Sequence, residues 1–150
     1  MTATEHPFDV DAFLAEGRTA RVAIDGPTVR PMWFLWEDGA FWLMSGPWAH
    51  LFGRVQDDPE VAIVVDVCDT ARGDIRSVTV RGAVTIDDGP FDVPRCRRLL
   101  VRYLGEDEAS WPAEPDDYRG YLAQPPMDGL TWLRLVPRTW TVLDRSFTPA

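Results

Sequence analysis

Lysine is absent from this 150-residue chain, and all fifteen basic residues are arginine. The absence excludes Schiff-base chemistry and a lysine general base. Any bound anion is left to Arg, His, hydroxyls or backbone N–H groups. Histidine is scarce: His6 and His50 are the only two, too far apart for a local metal motif. Cys68 and Cys96 lack metal-ligand spacing and read as reduced core residues of a cytoplasmic protein. No run of about 18 apolar residues occurs, so no membrane-spanning helix is expected. The opening MTATEHPFDVDAF lacks the basic-then-apolar pattern of a signal peptide. Neither G-x-S-x-G nor a phosphate-cradling glycine loop is found, which removes nucleophile-elbow hydrolases and P-loop enzymes.

What is present is an ordinary globular balance, 45% hydrophobic and 26% charged, with a net charge of −9. The acidity argues against a nucleic-acid partner and against a polybasic membrane anchor. The length fits one domain, 1–150, able to bury its own core. Arginine without lysine also suggests a GC-rich coding bias of the actinobacterial kind.

The stretch 25–66 organises the rest. Two aromatic-rich apolar runs, over 28–36 and 40–44, are expected to pair across the turn Glu37-Asp38-Gly39. Met32, Phe34 and Trp36 fall on one strand face, Trp33 and Leu35 on the other. Both faces are apolar, which implies a closed barrel or a partner on the second face. Pro31 marks an edge position or a bulge. Around this hairpin the pattern predicts a short helix over 8–16 stopped by Gly17, a strand over 19–24 and a turn at Asp25-Gly26-Pro27. A short helix over 48–56 and strands over 61–67 and 77–86 follow. Gly82 suggests a bulge or a close backbone approach. A helix over 93–104 has Leu99, Leu100, Tyr103 and Leu104 on one side and Arg95, Arg97, Arg98 and Arg102 largely outside, with Gly105 as its cap. A short helix near 115–122 and closing strands over 130–136 and 140–143 complete the chain. Strands close in sequence and joined by turns favour an antiparallel barrel, mainly β with flanking helices.

Three groups could carry chemistry. Ser45, Gly46 and Pro47, before a helix starting at Pro47 or Trp48, could present N–H groups to a phosphate; Ser45 could equally be a simple N-cap. Arg30 on an apolar strand is an anion clamp or an edge charge. His50 and Arg54, one helical turn apart, could extend a basic pocket or form a solvated face. Trp33, Trp36, Trp42 and Trp48 offer core packing and a flat wall for a planar aromatic ligand.

Taken in order, several motifs resemble the pyridoxamine 5′-phosphate oxidase-like split β-barrel proteins, particularly the flavin- and deazaflavin-dependent oxidoreductases common in actinobacteria. They are Asp25-Gly26-Pro27, Pro31-Met32-Trp33-Phe34, Glu37-Asp38-Gly39 and residues 41–45. Asp58-Pro59 before 61–66, Val80-Arg81-Gly82-Ala83 and Arg102-Tyr103-Leu104-Gly105 continue the series. The resemblance implies a six- to seven-stranded antiparallel split β-barrel, forming a homodimer with cofactor sites at the interface. It implies FMN, or the deazaflavin F420, with hydride transfer to a small organic substrate. By position, the phosphate falls to Arg30, Ser45 with Gly46, and the segment His50 to Arg54, and the ring to Pro31, Met32 and Trp33. The family often carries a lysine where this chain has Leu51. His50 or Arg54 then takes its place, or no cofactor binds, and Leu51→Lys is expected to tighten binding. The alternative on the same dimeric barrel is a non-catalytic carrier or sensor for a flavin or haem. No side chain stands out as a catalytic acid.

Overall fold

The computed structural model describes residues 5–26 and 28–150. Pro27, part of the expected turn, lies outside them; Asp25 and Gly26 do form a turn, with Gly26 at φ 63°. The elements run α1 (Val10–Ala15), β1 (Ala20–Ile24), β2 (Thr28–Met32), β3 (Leu35–Glu37), β4 (Ala40–Ser45), α2 (Leu51–Asp57), β5 (Glu60–Asp69), β6 (Asp74–Asp87), α3 (Val93–Leu104), β7 (Thr131–Leu135) and β8 (Thr139–Asp144). Two short 3₁₀ turns, Glu108–Ser110 and Tyr118–Leu122, lie between α3 and β7. No helix among the described residues is long and apolar enough to cross a membrane.

All the pairings are antiparallel, along the path β2-β1-β5-β6-β7-β4-β3, with β8 added beside β6. Seven strands on one path meet the expected six to seven, and β8 is the eighth. The long strand β6 divides the sheet. One edge pairs β5 from Asp74 to Ala83, while the other pairs β8 from Arg76 to Arg81 and β7 from Val84 to Asp87. Gly82 sits at that changeover. A Cβ there would lie 2.8 Å from the Val136 carbonyl, so Gly82 serves a close backbone approach.

The expected single strand over 28–36 is two strands. β2 pairs β1 and ends one side of the path; β3 pairs β4 and ends the other. Trp33 and Phe34, between them, join the two ends covalently and form the seam of the barrel. Pro31 lies in β2, an edge strand, where its missing N–H costs no ladder bond. The alternation survives the break. Phe34, Met32 and Trp36 pack with Phe41, Leu43, Ile63 and Val80 inside the barrel, whereas Trp33 and Leu35 pack outside it.

The outer layer is α3. Asp92 caps it by accepting from Arg95 N–H at 2.8 Å, and Gly105 ends it at φ 91°. Cys96, Leu99 and Leu100 cover Leu35, Ala40, Trp42 and Trp132. The second apolar face of the hairpin is therefore covered by this chain's own helix. Two of the four helix arginines also point inward, against expectation. Arg95 lies 3.6 Å over the Trp42 ring, and Arg102 lies 4.6 Å over Phe34 while donating to the Leu14 carbonyl. Their long apolar stems and flat charged heads suit aromatic surfaces. Cys96 is buried and its thiol is pushed up to about 12 by desolvation, whereas Cys68 is exposed rather than in the core.

Arg98 ties the hairpin to α3, its Nε and Nη2 donating to the two Glu37 carboxylate oxygens at 2.6 and 3.0 Å. That hydrogen bonding holds the Glu37 carboxyl below its ordinary 4.5. A depressed carboxyl stabilises the fold above the unfolded-chain value, and its contribution disappears as pH falls through the lower folded value. Arg98 is half exposed, so the pair is worth under about 1 kcal/mol at pH 7. Glu37→Gln is expected to remove that contribution at neutral pH and to flatten the stability loss below pH 4.5, measured by urea unfolding across pH 3–7. A variant whose acid limb matches the wild type would show that the pair contributes nothing.

Candidate functional site

The seam, the outer wall of β4, the loop after it, and α3 enclose a mostly apolar cavity of about 350 Å³. β2 and the seam supply Arg30, Pro31, Met32 and Trp33. β4 supplies Met44, and the loop into α2 supplies Trp48 and Ala49, with Leu51 just beyond. Leu99 and Leu100 of α3 and Tyr118 and Tyr121 of the second 3₁₀ turn form the remaining wall. Aromatic rings frame it in a chain. Trp33 stacks with Tyr118 at 5.5 Å, Tyr118 lies 6.3 Å from Tyr121, and Tyr121 lies 5.5 Å from Trp48. Trp48 is 54% exposed at the mouth. Burial holds the Tyr121 hydroxyl above the ordinary phenol range, so it stays protonated.

Arg30 is the only charged side chain among the described residues of this lining. Its Nε is buried and hydrogen-bonds to none of them. A buried donor left unpaired costs free energy that a bound acceptor would recover. The cavity thus offers a flat aromatic wall, an apolar end and one free cation, which suits a planar ring system carrying an anionic group.

The residues singled out from the sequence divide between places. Arg30, Pro31, Met32, Trp33 and Leu51 come together in this cavity. Gly46 and His50 line a neighbouring cleft of about 440 Å³, with Phe52, Gly53 and Thr131, which shares Ala49 with the first. Ser45 ends β4 opposite Thr131, with its Oγ buried and unpaired among the described residues. By strand alternation it stands on the face of Phe41 and Leu43, away from Met44 and the cavity.

The proposed helix N-terminus at Trp48 is displaced. α2 begins at Leu51, His50 takes the N-cap position without a side-chain bond, and Ser45 caps nothing. The Trp48 ring instead packs on Gly46, where a Cβ would collide with it. Arg54 is engaged elsewhere: it donates to Thr28 Oγ1 at 2.8 Å and lies 3.6 Å from Asp25. Arg54 and His50 therefore line neither side of the first cavity. The reading of the sequence missed Met44, Leu99, Leu100, Tyr118 and Tyr121. Only the pair Tyr118 and Tyr121, apolar anchors three apart in a polar stretch, carried a signal.

No protein-family model matches the chain, and no curated protein matches it. Solved structures do. A conserved hypothetical protein, Rv2991 of Mycobacterium tuberculosis, superposes with a TM-score of 0.70 at 20% identity, covering 97% of this chain and 90% of that one. An F420 reductase superposes at 0.65 and 20% identity, over 90% and 98%. A FAD-binding protein of Mesorhizobium loti superposes at 0.60 and 22% identity, over 90% and 91%. The fold is the pyridoxamine 5′-phosphate oxidase-like split β-barrel. A haem storage protein, HutZ of Vibrio cholerae, is also among the structural neighbours, superposing at 0.63 and 14% identity over 93% of this chain and 94% of that one.

Proposed function

We propose that this chain binds a flavin-type cofactor, FMN in first place and F420 in second, in the cavity beside the seam, and serves as an oxidoreductase on a small organic substrate. The observation that carries the reading is Arg30: a guanidinium whose buried Nε has no partner among the described residues, in an otherwise uncharged, aromatic-walled cavity. Neighbours described as an F420 reductase and a FAD-binding protein support the cofactor class.

When bound, such a cofactor supplies hydride transfer. The chain supplies the rest. Arg30 would hold the anionic group, and Trp33 with Pro31 and Met32 would form the wall for the ring. Leu99, Leu100 and Met44 would keep water from the buried edge. Assembly as a homodimer with the cavity at the interface belongs to the same proposal, supported by Val29, 61% exposed on the free edge of β2 next to Arg30. One observation favours the carrier or sensor instead: among the described residues, no carboxylate or histidine lines the cavity to move a proton.

Titrating FMN and F420 against quenching of the tryptophans tests the reading. Saturable micromolar binding of either supports it, and no binding of either overturns it. Arg30→Ala is expected to weaken FMN by about 1.5–3 kcal/mol, the range for a hydrogen bond to a charged group, and to leave riboflavin, which lacks the phosphate, unchanged. Equal losses for both would show that Arg30 does not hold the phosphate.

A further inference from the structure

The last turn of α3 ends on Arg102-Tyr103-Leu104-Gly105, and the proposed function uses none of it. We propose that Tyr103 is the positioning residue of the cavity wall: it closes the barrel seam and sets the orientation of Trp33. The inference rests on the cofactor reading only for its ligand arm.

The seam is where strand pairing fails. Trp33 and Phe34 belong to neither β2 nor β3, so the Phe34 amide has no ladder partner, although its side chain is fully buried. A buried amide must find another acceptor. It donates to the Tyr103 hydroxyl at 3.1 Å, and that hydroxyl donates in turn to the Arg18 carbonyl at 2.6 Å. One phenol thus bridges the segment before β1 to the junction of β2 and β3. The same ring lies on the Trp33 indole, with centroids 4.6 Å apart and planes 5° apart. Arg102 holds the other side of the junction, over Phe34 at 4.6 Å.

Trp33 carries its outward direction into the cavity wall next to Arg30. A wall residue flanked by an unpaired stretch of backbone has rotational freedom unless something removes it. Tyr103 restricts it through the hydrogen bond from the Phe34 amide and its nearly parallel stacked ring, closer than the Tyr118 ring at 5.5 Å, without lining the cavity itself. It therefore acts through Trp33 rather than on the ligand.

The test uses the whole chain. Amide exchange in the wild type is expected to show Phe34 protected like a ladder amide despite lying between strands; exchange at loop rates would overturn the clamp without any variant. Tyr103→Phe keeps the ring and deletes the hydroxyl. It is expected to speed Phe34 exchange about a hundredfold and to raise the Kd for FMN about tenfold, with the neighbouring amides of β4 unchanged. It is also expected to open Trp33 to acrylamide quenching, read against Trp33→Phe to isolate that residue. Faster exchange with unaltered Trp33 quenching would overturn the positioning role. If the wild type binds no FMN, the cofactor reading falls alone, and the exchange and quenching results still decide the role of Tyr103.

Discussion

Replacing Trp132 by alanine is expected to cost about 3–5 kcal/mol of unfolding free energy, the range for deleting a large buried aromatic. Trp132 is 1% exposed on β7 and among the largest fully buried side chains. Its indole N–H donates to the Asp92 carbonyl at 3.1 Å, at the residue that caps α3. Phe91 stacks on it at 5.7 Å with the planes 4° apart, and Arg95 lies 5.6 Å over it. One side chain therefore docks the start of α3 on the outer face of the sheet. Alanine leaves a cavity and removes one of two donors to the Asp92 carbonyl, which keeps the Cys96 N–H at 3.2 Å, so the cavity dominates the loss. For a chain of this length the loss corresponds to a fall in melting temperature of roughly 10–15 °C. Urea unfolding should show a lower midpoint with the same slope. FMN affinity should also fall, because Leu99 and Leu100 reach the cavity from the same helix. A loss under about 1 kcal/mol would mean that α3 is held by something other than Trp132.

How far the sequence could be read depended on whether a feature was local. The bounds of α3 were legible because the apolar spacing of Leu99, Leu100, Tyr103 and Leu104 and the terminating Gly105 are local signals. The two faces of 32–36 were legible because alternation is local too, and it persisted through the break at the seam. The break itself was not. β2 turns back on β1 while β3 turns forward onto β4, and a continuous apolar run carries no mark of where one pairing stops and the other starts. The start of α2 was misplaced for a similar reason: the Trp48 ring packs on Gly46, a contact outside helix periodicity. Arg95 and Arg102 were placed outside by their charge, yet Trp42 and Phe34 provide aromatic surfaces that only the fold brings near. For the candidate site, Arg30 to Trp33 were found together because they are contiguous on one strand. Leu99, Tyr118 and Tyr121 come from elements more than sixty residues away, so even the spacing of the two tyrosines, which marked them as anchors, did not place them beside Arg30.

Leu51→Lys is expected to destabilise the chain by about 3–5 kcal/mol rather than to create a phosphate site, which reverses the expectation from the resemblance. Leu51 is 1% exposed, in the first turn of α2, and belongs to the barrel core as well as bordering the cavity. Replacing it loses the burial of a leucine, about 2–5 kcal/mol in cores. It also asks an ammonium to shed water beside Leu and Val side chains, so the lysine would be held neutral or driven out through the cavity. Either outcome disturbs the packing of α2 on the barrel. Arg30 already faces that cavity unpaired, and a second cation there would be repelled until an anion arrived. Phosphate would offset only part of that cost, so the variant should bind FMN no more tightly than the wild type and gain no more stability from it, because the stabilisation by a ligand is set by its Kd. Melting curves with and without FMN separate these effects. A variant as stable as the wild type that binds FMN tenfold tighter would place the Leu51 side chain in the cavity rather than in the core. It would return Leu51 to the phosphate-binding position that the resemblance assigns.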